Sequence, residues 1–308
     1  MNYQRDAFIK KLTEKANNDR NIVVLSADFG APMLDEYIDR HPDQFFHLGI
    51  SEQNMIDVAI GMASQGKKVF AYAMAPFVVL RCAEQHKLAA IMNSPITTIV
   101  AGVGFGYANA GPTHYATEDL GVCMGLTGSH IFSISDPNMA SNVAEYLIQN
   151  PKFSFVRLDR DPSENIDGAA NIDFDRGFRE LSEGQAIAVV SHGYMLQRTY
   201  RLLEENPILK NKVTLIDLFR SKPVSPDFLE VVKRFDKILI IDEQIQSSSL
   251  GTFLLPQILS ENSSVNVRAL HLAEEFMFGN TGRNNLLSEA GLSDRRILDE
   301  ISDLLGQR

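Results

Sequence analysis

The chain has 308 residues, long enough for two domains with ordinary cores, and its 44% hydrophobic and 22% charged residues are typical of a soluble globular protein. A net charge of −10 argues against nucleic acid or an anionic membrane as a main partner, while leaving room for a local basic pocket. The two cysteines, Cys82 and Cys123, lie in apolar helical contexts without metal-like spacing and read as reduced core residues of a cytoplasmic protein. Met1 to Lys11 is polar and amphipathic, so no signal peptide is expected, and no apolar run approaches a membrane span.

In chain order, residues 4–17 predict a helix with Phe8, Ile9 and Leu12 on one apolar stripe, ended by Asn17-Asn18. Ile22-Val23-Val24-Leu25 suits a buried parallel strand, with the loop Ser26-Ala27-Asp28-Phe29-Gly30 at its carboxyl end. A strand-like Phe45-Phe46-His47-Leu48 leads into Gly49-Ile50-Ser51-Glu52-Gln53-Asn54-Met55, which opens a helix with Met55, Ala59 and Met62 at i, i+4 and i+7. The rhythm continues with strand 68–73, a helix from about Phe77 to Met92, strand 96–101, a loop to His114 and helix 118–126. Strand 130–133, helix 139–149 and strand 154–158 follow. Such alternation predicts a doubly wound, mainly parallel α/β sheet. From Asp159-Arg160-Asp161-Pro162 to Asp175-Arg176-Gly177 the chain turns polar and acidic; a new α/β unit then starts at Ala186–Val190, with later strands near 213–218, 237–241 and 265–270 and a helix near 293–305. Two domains are expected, 1–165 and 175–308.

Several residues stand out chemically. Ser51 fits an N-cap and Glu52 the first helical turn, where a carboxylate complements the helix dipole. Phe77 stands at a strand–helix junction, a common place for a core aromatic. Asp28 ends a strand, where it either caps the next turn or faces a ligand. Ala101-Gly102-Val103-Gly104-Phe105-Gly106 does not satisfy the Gly-x-Gly-x-x-Gly spacing of nucleotide loops. Gly111-Pro112-Thr113-His114 sets a histidine at the end of a fixed loop, able to hydrogen-bond a substrate oxygen or relay a proton. Arg160 and Arg5 carry the group suited to bidentate anion binding, or to surface salt bridging. His192, in Ser191-His192-Gly193, shows no nearby Ser/Asp pattern that would make it a nucleophile's base.

In this order and at these distances, Glu52, Phe77 and the Gly111–His114 loop resemble the C-terminal half of transketolases, and the resemblance extends over nearly the whole chain. It implies a pyrimidine-binding domain followed by a transketolase C-terminal domain, the latter mainly structural and dimer-forming. It implies thiamine diphosphate as cofactor, with Glu52 at the aminopyrimidine nitrogen, Phe77 stacked on that ring and Asp28 nearby. His114 would meet the substrate, and Arg160 and Arg5 its phosphate. Two departures bear on the substrate. Transketolases tend to have Asp-Gly-Pro-Thr-His where this chain has Ala110 before Gly111, and another substrate-binding histidine where it has Gly102.

No Gly-Asp-Gly, the start of the family's metal–diphosphate motif, occurs in the chain. The expected architecture is therefore a split transketolase. An N-terminal subunit would carry the diphosphate and its Mg²⁺, no metal being held here, and the assembly would be an α2β2 heterotetramer. The implied activity is transfer of a two-carbon ketol unit from a ketose, or ketose phosphate, to an aldose. Other thiamine-dependent carboligases and the beta subunits of 2-oxo-acid dehydrogenases are the alternatives, and a non-catalytic dimerisation partner is a further one.

Overall fold

The computed structural model describes residues 2–27, 30–166, 172–279 and 281–306. Packing divides the chain into two units: residues 1–103 with 122–172, and residues 104–121 with 173–308.

The first unit is built on strands β1 (Ile22–Ser26), β2 (Phe45–His47), β3 (Lys68–Met74), β4 (Ile96–Ala101), β5 (His130–Ser133) and β6 (Ser154–Leu158). They lie in the order β5-β6-β4-β3-β1-β2, every neighbouring pair parallel. Burial explains the continuous apolar runs. All five residues of β1 and all six of β4 are buried, as expected of strands covered on both faces. Thr97 Oγ1 of β4 pairs in this interior with Ser154 Oγ of β6 at 3.1 Å. Helix Gln4–Ala16 buries Phe8, Ile9 and Leu12, and Phe8 meets Phe70 of β3 edge to face at 6.1 Å, an arrangement worth about 1 kcal/mol beyond burial. Helix Pro137–Gln149 packs along it and is capped by Asp136, whose carboxylate accepts from Met139 N at 2.8 Å.

The second unit contains β7 (Arg179–Glu180), β8 (Ile187–Ser191), β9 (Val213–Asp217), β10 (Arg220–Lys222), β11 (Lys237–Ile245) and β12 (Asn266–Leu272). Its five-stranded sheet runs β12-β11-β8-β9-β7, parallel except for β7, which pairs antiparallel with β9; β10 lies outside it. Both units are thus α/β.

Two local expectations need correction. Ser51 occupies the N-cap of helix Glu52–Ser64, but its side chain makes no capping bond. The single helix expected over 77–92 is two, Ala75–Leu80 and Ala83–Ile91, interrupted at Arg81-Cys82. No glycine or proline causes the interruption. Val78 O accepts instead from the His86 Nε2–H at 3.0 Å, and Phe77 O from the Cys82 thiol at 3.8 Å. Among the described residues no helix is long and apolar enough to cross a membrane.

Candidate active site

Glu52 is the first residue of helix Glu52–Ser64, and the buried positions of that helix are 52, 55, 56, 59, 60 and 63. These fall at i, i+3, i+4, i+7, i+8 and i+11, so Glu52 continues the apolar stripe and is carried into the interior by the phase of the helix. A purely dipole-complementing carboxylate would sit on the solvent face. Its side chain is only 4% exposed, and a buried charge requires a partner. The partner is Arg81, whose Nη1 donates to Glu52 Oε2 at 2.5 Å.

Arg81 stands at the interruption between the two short helices, and its guanidinium carbon lies 4.8 Å from the centroid of the half-buried Phe77 ring. It therefore touches both Glu52 and Phe77, the residues singled out for the cofactor, and draws them into one cluster. Its own side chain is 43% exposed. Sequence reasoning missed Arg81 because a helix running unbroken through 77–92 gives that position no special geometry. Beside it, Cys82 is fully buried; burial first and the Glu52 charge second push its thiol up to about 12, so it is not a nucleophile at neutral pH. His86, held between Phe155 and Phe153, is driven down to about 4 by burial, against the pull of its bond to Val78.

Arg5 and Arg160 lie on neighbouring segments. Asp159 N–H donates to Gln4 Oε1 at 2.9 Å, and Asn2 and Ser163 form a backbone bridge. The start of helix Gln4–Ala16 is thereby tied beside the bend that carries Arg160. Arg5 Nε donates to Asp6 Oδ1 at 2.8 Å. Burial weighs against its charge, but Asp6 and Tyr72 outweigh burial and hold the guanidinium protonated more firmly than usual. Arg160 is exposed. Asp28 lies outside the described residues.

His114 belongs to the segment that packs with the second unit. Its Nδ1 lies 2.9 Å from Thr113 Oγ1. The segment is fastened to the end of β11: Gln244 Nε2 donates to Ala116 O at 2.9 Å and Ile245 N to Thr117 O at 2.9 Å. Phe105 N donates to Glu243 Oε1 at 3.2 Å, and Arg283 grips the same carboxylate with Nε at 2.9 Å and Nη2 at 2.5 Å. Gly104 has φ of 59°, and a Cβ there would collide with the Glu243 carboxylate, so glycine is required on both counts.

His192, which has no Ser/Asp pattern near it in the sequence, finds both partners far along the chain. Its Nδ1 lies 3.2 Å from Ser221 Oγ and its Nε2 3.0 Å from Asp242 Oδ1, while Asp242 Oδ2 accepts from Leu250 N at 2.7 Å. All three side chains are buried. The chain of bonds joins the end of β8, β10, the middle of β11 and the start of helix Leu250–Glu261. Buried and bonded to one another, the three side chains form a structural tie between these elements.

Residues 3–163 match the family described as "Transketolase, pyrimidine binding domain". A relative from Phocaeicola vulgatus, named as one subunit of an apulose-4-phosphate transketolase, is 28% identical over 88% of this chain and 88% of its own length. "Putative transketolase C-terminal section" from Methanocaldococcus jannaschii is 24% identical over 97% of this chain and 95% of its own. Among solved structures, "Split gene transketolase, inactive beta4 tetramer" superposes with a TM-score of 0.88, covering 100% of this chain and 99% of that one at 23% identity, a likeness of fold.

Proposed function

The chain belongs to the transketolase pyrimidine-binding family, and on that premise we propose that it is the pyrimidine-gripping subunit of a two-chain, thiamine-diphosphate-dependent transketolase. Its reaction moves a two-carbon ketol unit from a ketose or ketose phosphate to an aldose. The observation that carries this reading is the buried Glu52 carboxylate grouped with the Phe77 ring through a single planar cation, Arg81. That donor set fits an aminopyrimidine: one acceptor carboxylate for a ring N–H, and one aromatic face for a flat, electron-poor ring. When bound, thiamine diphosphate supplies the carbanion that adds to the ketone and the ring that withdraws its electrons.

The roles of the chain's own residues follow. Glu52 holds a proton at the pyrimidine nitrogen, Phe77 orients the ring by stacking, and Asp28 lies near the cofactor. His114 hydrogen-bonds a substrate oxygen and moves its proton. Arg160, with Arg5 tied beside its bend, binds a phosphate. The relatives named as one subunit and as a C-terminal section of transketolases support a partner chain, as does the lack of Gly-Asp-Gly in the sequence. That partner is an N-terminal subunit with the diphosphate and Mg²⁺ site, in an α2β2 assembly. The relative named for apulose 4-phosphate favours a phosphorylated sugar as the substrate class. Ala110, where transketolases tend to have Asp, favours a sugar differing from the usual ones, or a related thiamine-dependent carboligation.

Calorimetry with thiamine diphosphate and Mg²⁺, on this chain alone and on its mixture with a Gly-Asp-Gly partner chain, tests the reading. Tight binding is expected only in the mixture, weakened by Phe77→Ala, with Glu52→Gln folding normally but losing turnover by about 100-fold or more. Tight binding by this chain alone would sink the shared site.

A further inference from the structure

We propose that Arg81 occupies the seat of the cofactor's pyrimidine ring and competes with that ring for both Glu52 and Phe77, a proposal that rests on the function read above. A guanidinium is a flat, delocalised cation whose N–H groups lie in its own plane and whose faces stack on aromatic rings. Arg81 uses both properties at once. An in-plane N–H donates to Glu52 at 2.5 Å, and the group lies 4.8 Å from the centroid of Phe77. An aminopyrimidine held by the same two residues would use an in-plane N–H and a ring face in the same way. Two flat groups cannot share one carboxylate edge and one aromatic face, so the ring enters as the guanidinium leaves.

The surroundings make that exchange possible. The backbone carrying Arg81 is fixed, because His86 bonds Val78 O at 3.0 Å and Cys82 approaches Phe77 O at 3.8 Å across the helix interruption. The side chain is 43% exposed, whereas Glu52 is 4% exposed. Arg81 can therefore withdraw into water without moving the helices, while Glu52 and Phe77 remain as a formed site. Before exchange Arg81 spares Glu52 the penalty of an unpaired buried charge and holds its carboxylate oriented. Arg81 is thus a positioning residue, and apparent cofactor affinity is the intrinsic affinity multiplied by the fraction of chains in which it has withdrawn.

The test measures binding, not turnover. The full-length chain, as wild type, Arg81→Ala, Arg81→Gln and Phe77→Ala, is titrated with thiamine, which carries the pyrimidine without the diphosphate, by ligand-observed NMR. Both Arg81 variants are expected to bind thiamine tighter than wild type, Arg81→Ala by about tenfold, because the competing group is gone. Phe77→Ala should bind more weakly than wild type. In wild type the Arg81 side-chain N–H resonances should move as thiamine is added. Equal or weaker binding in both Arg81 variants, absence of binding from every form included, overturns the proposal. Thiamine diphosphate titrated into the assembled two-chain enzyme separates the failures: binding there with no gain in the Arg81 variants removes only the role of Arg81, and no binding there removes the functional reading as well.

Discussion

Each unit contains an arginine–glutamate pair in which the arginine also stacks on an aromatic ring, and the two pairs behave as opposites. In the second unit Arg283 grips Glu243 through two nitrogens and lies 3.5 Å from the Tyr194 ring centroid; both side chains are almost wholly buried, at 6% and 7% exposure. Glu243 also accepts from Phe105 N, so the carboxylate is saturated by fixed donors. In the first unit Arg81 reaches Glu52 through Nη1, and the arginine faces water. The same chemistry is a permanent fastening in one place and an exchangeable contact in the other. What separates them is solvent access to the cation and the number of fixed donors around the anion.

The comparison breaks most visibly at the buried pair. Glu243→Ala or Arg283→Ala strands one buried charge and should cost roughly 3–5 kcal/mol in urea denaturation, whereas a well-packed apolar pair replacing both should recover most of the loss. A loss under about 1 kcal/mol from either single change would show that the pair is not the fastening described.

The next effect is one of pH and concerns the brace behind Arg81. His86 stays neutral in the folded chain down to about 4, against an ordinary value of 6.5. Below its ordinary value the unfolded chain binds the proton and the folded chain does not, so unfolding gains. The His86 contribution is complete above about pH 6.5 and falls away as pH drops toward 4, by roughly 3 kcal/mol over the window. Denaturation midpoints from pH 7 to 4 should show this slope, flattened in His86→Leu. The smallest effect sharpens the contrast. Arg81→Ala should cost about 1 kcal/mol or less, because water reaches the vacated side of Glu52. A loss as large as that at Glu243 would erase the distinction between the two pairs.

Much of this fold is legible in the sequence where a local rule governs. Strands 96–101, 130–133 and 154–158 coincide with the bounds expected of them, and the apolar run Ile22–Leu25 forms most of β1, because a strand covered on both faces favours apolar residues in series. The interior placement of Glu52 follows from its phase with Met55, Ile56 and Ala59, a face that the expected Met55, Ala59 and Met62 stripe does not bring out. What local pattern does not convey is set by distant partners. The helix interruption at Arg81 depends on side chains bonding backbone carbonyls, in a stretch whose composition reads as continuous helix. The partners of His192 lie 29 and 50 residues away, and no spacing rule connects them to it.

The segment that carries His114 has a consequence for biosynthesis. The chain leaves the first unit after Val103, packs with the second through Gly121, and returns at Val122. Phe105 emerges from the ribosome 138 residues ahead of Glu243, the residue that receives its N–H. The apolar residues of this segment, Phe105 and Tyr115 among them, must wait exposed until translation has passed Arg283. A nascent chain stalled in the second unit would therefore present a sticky, unfinished loop to chaperones, and a gene truncated near residue 165 would make that condition permanent.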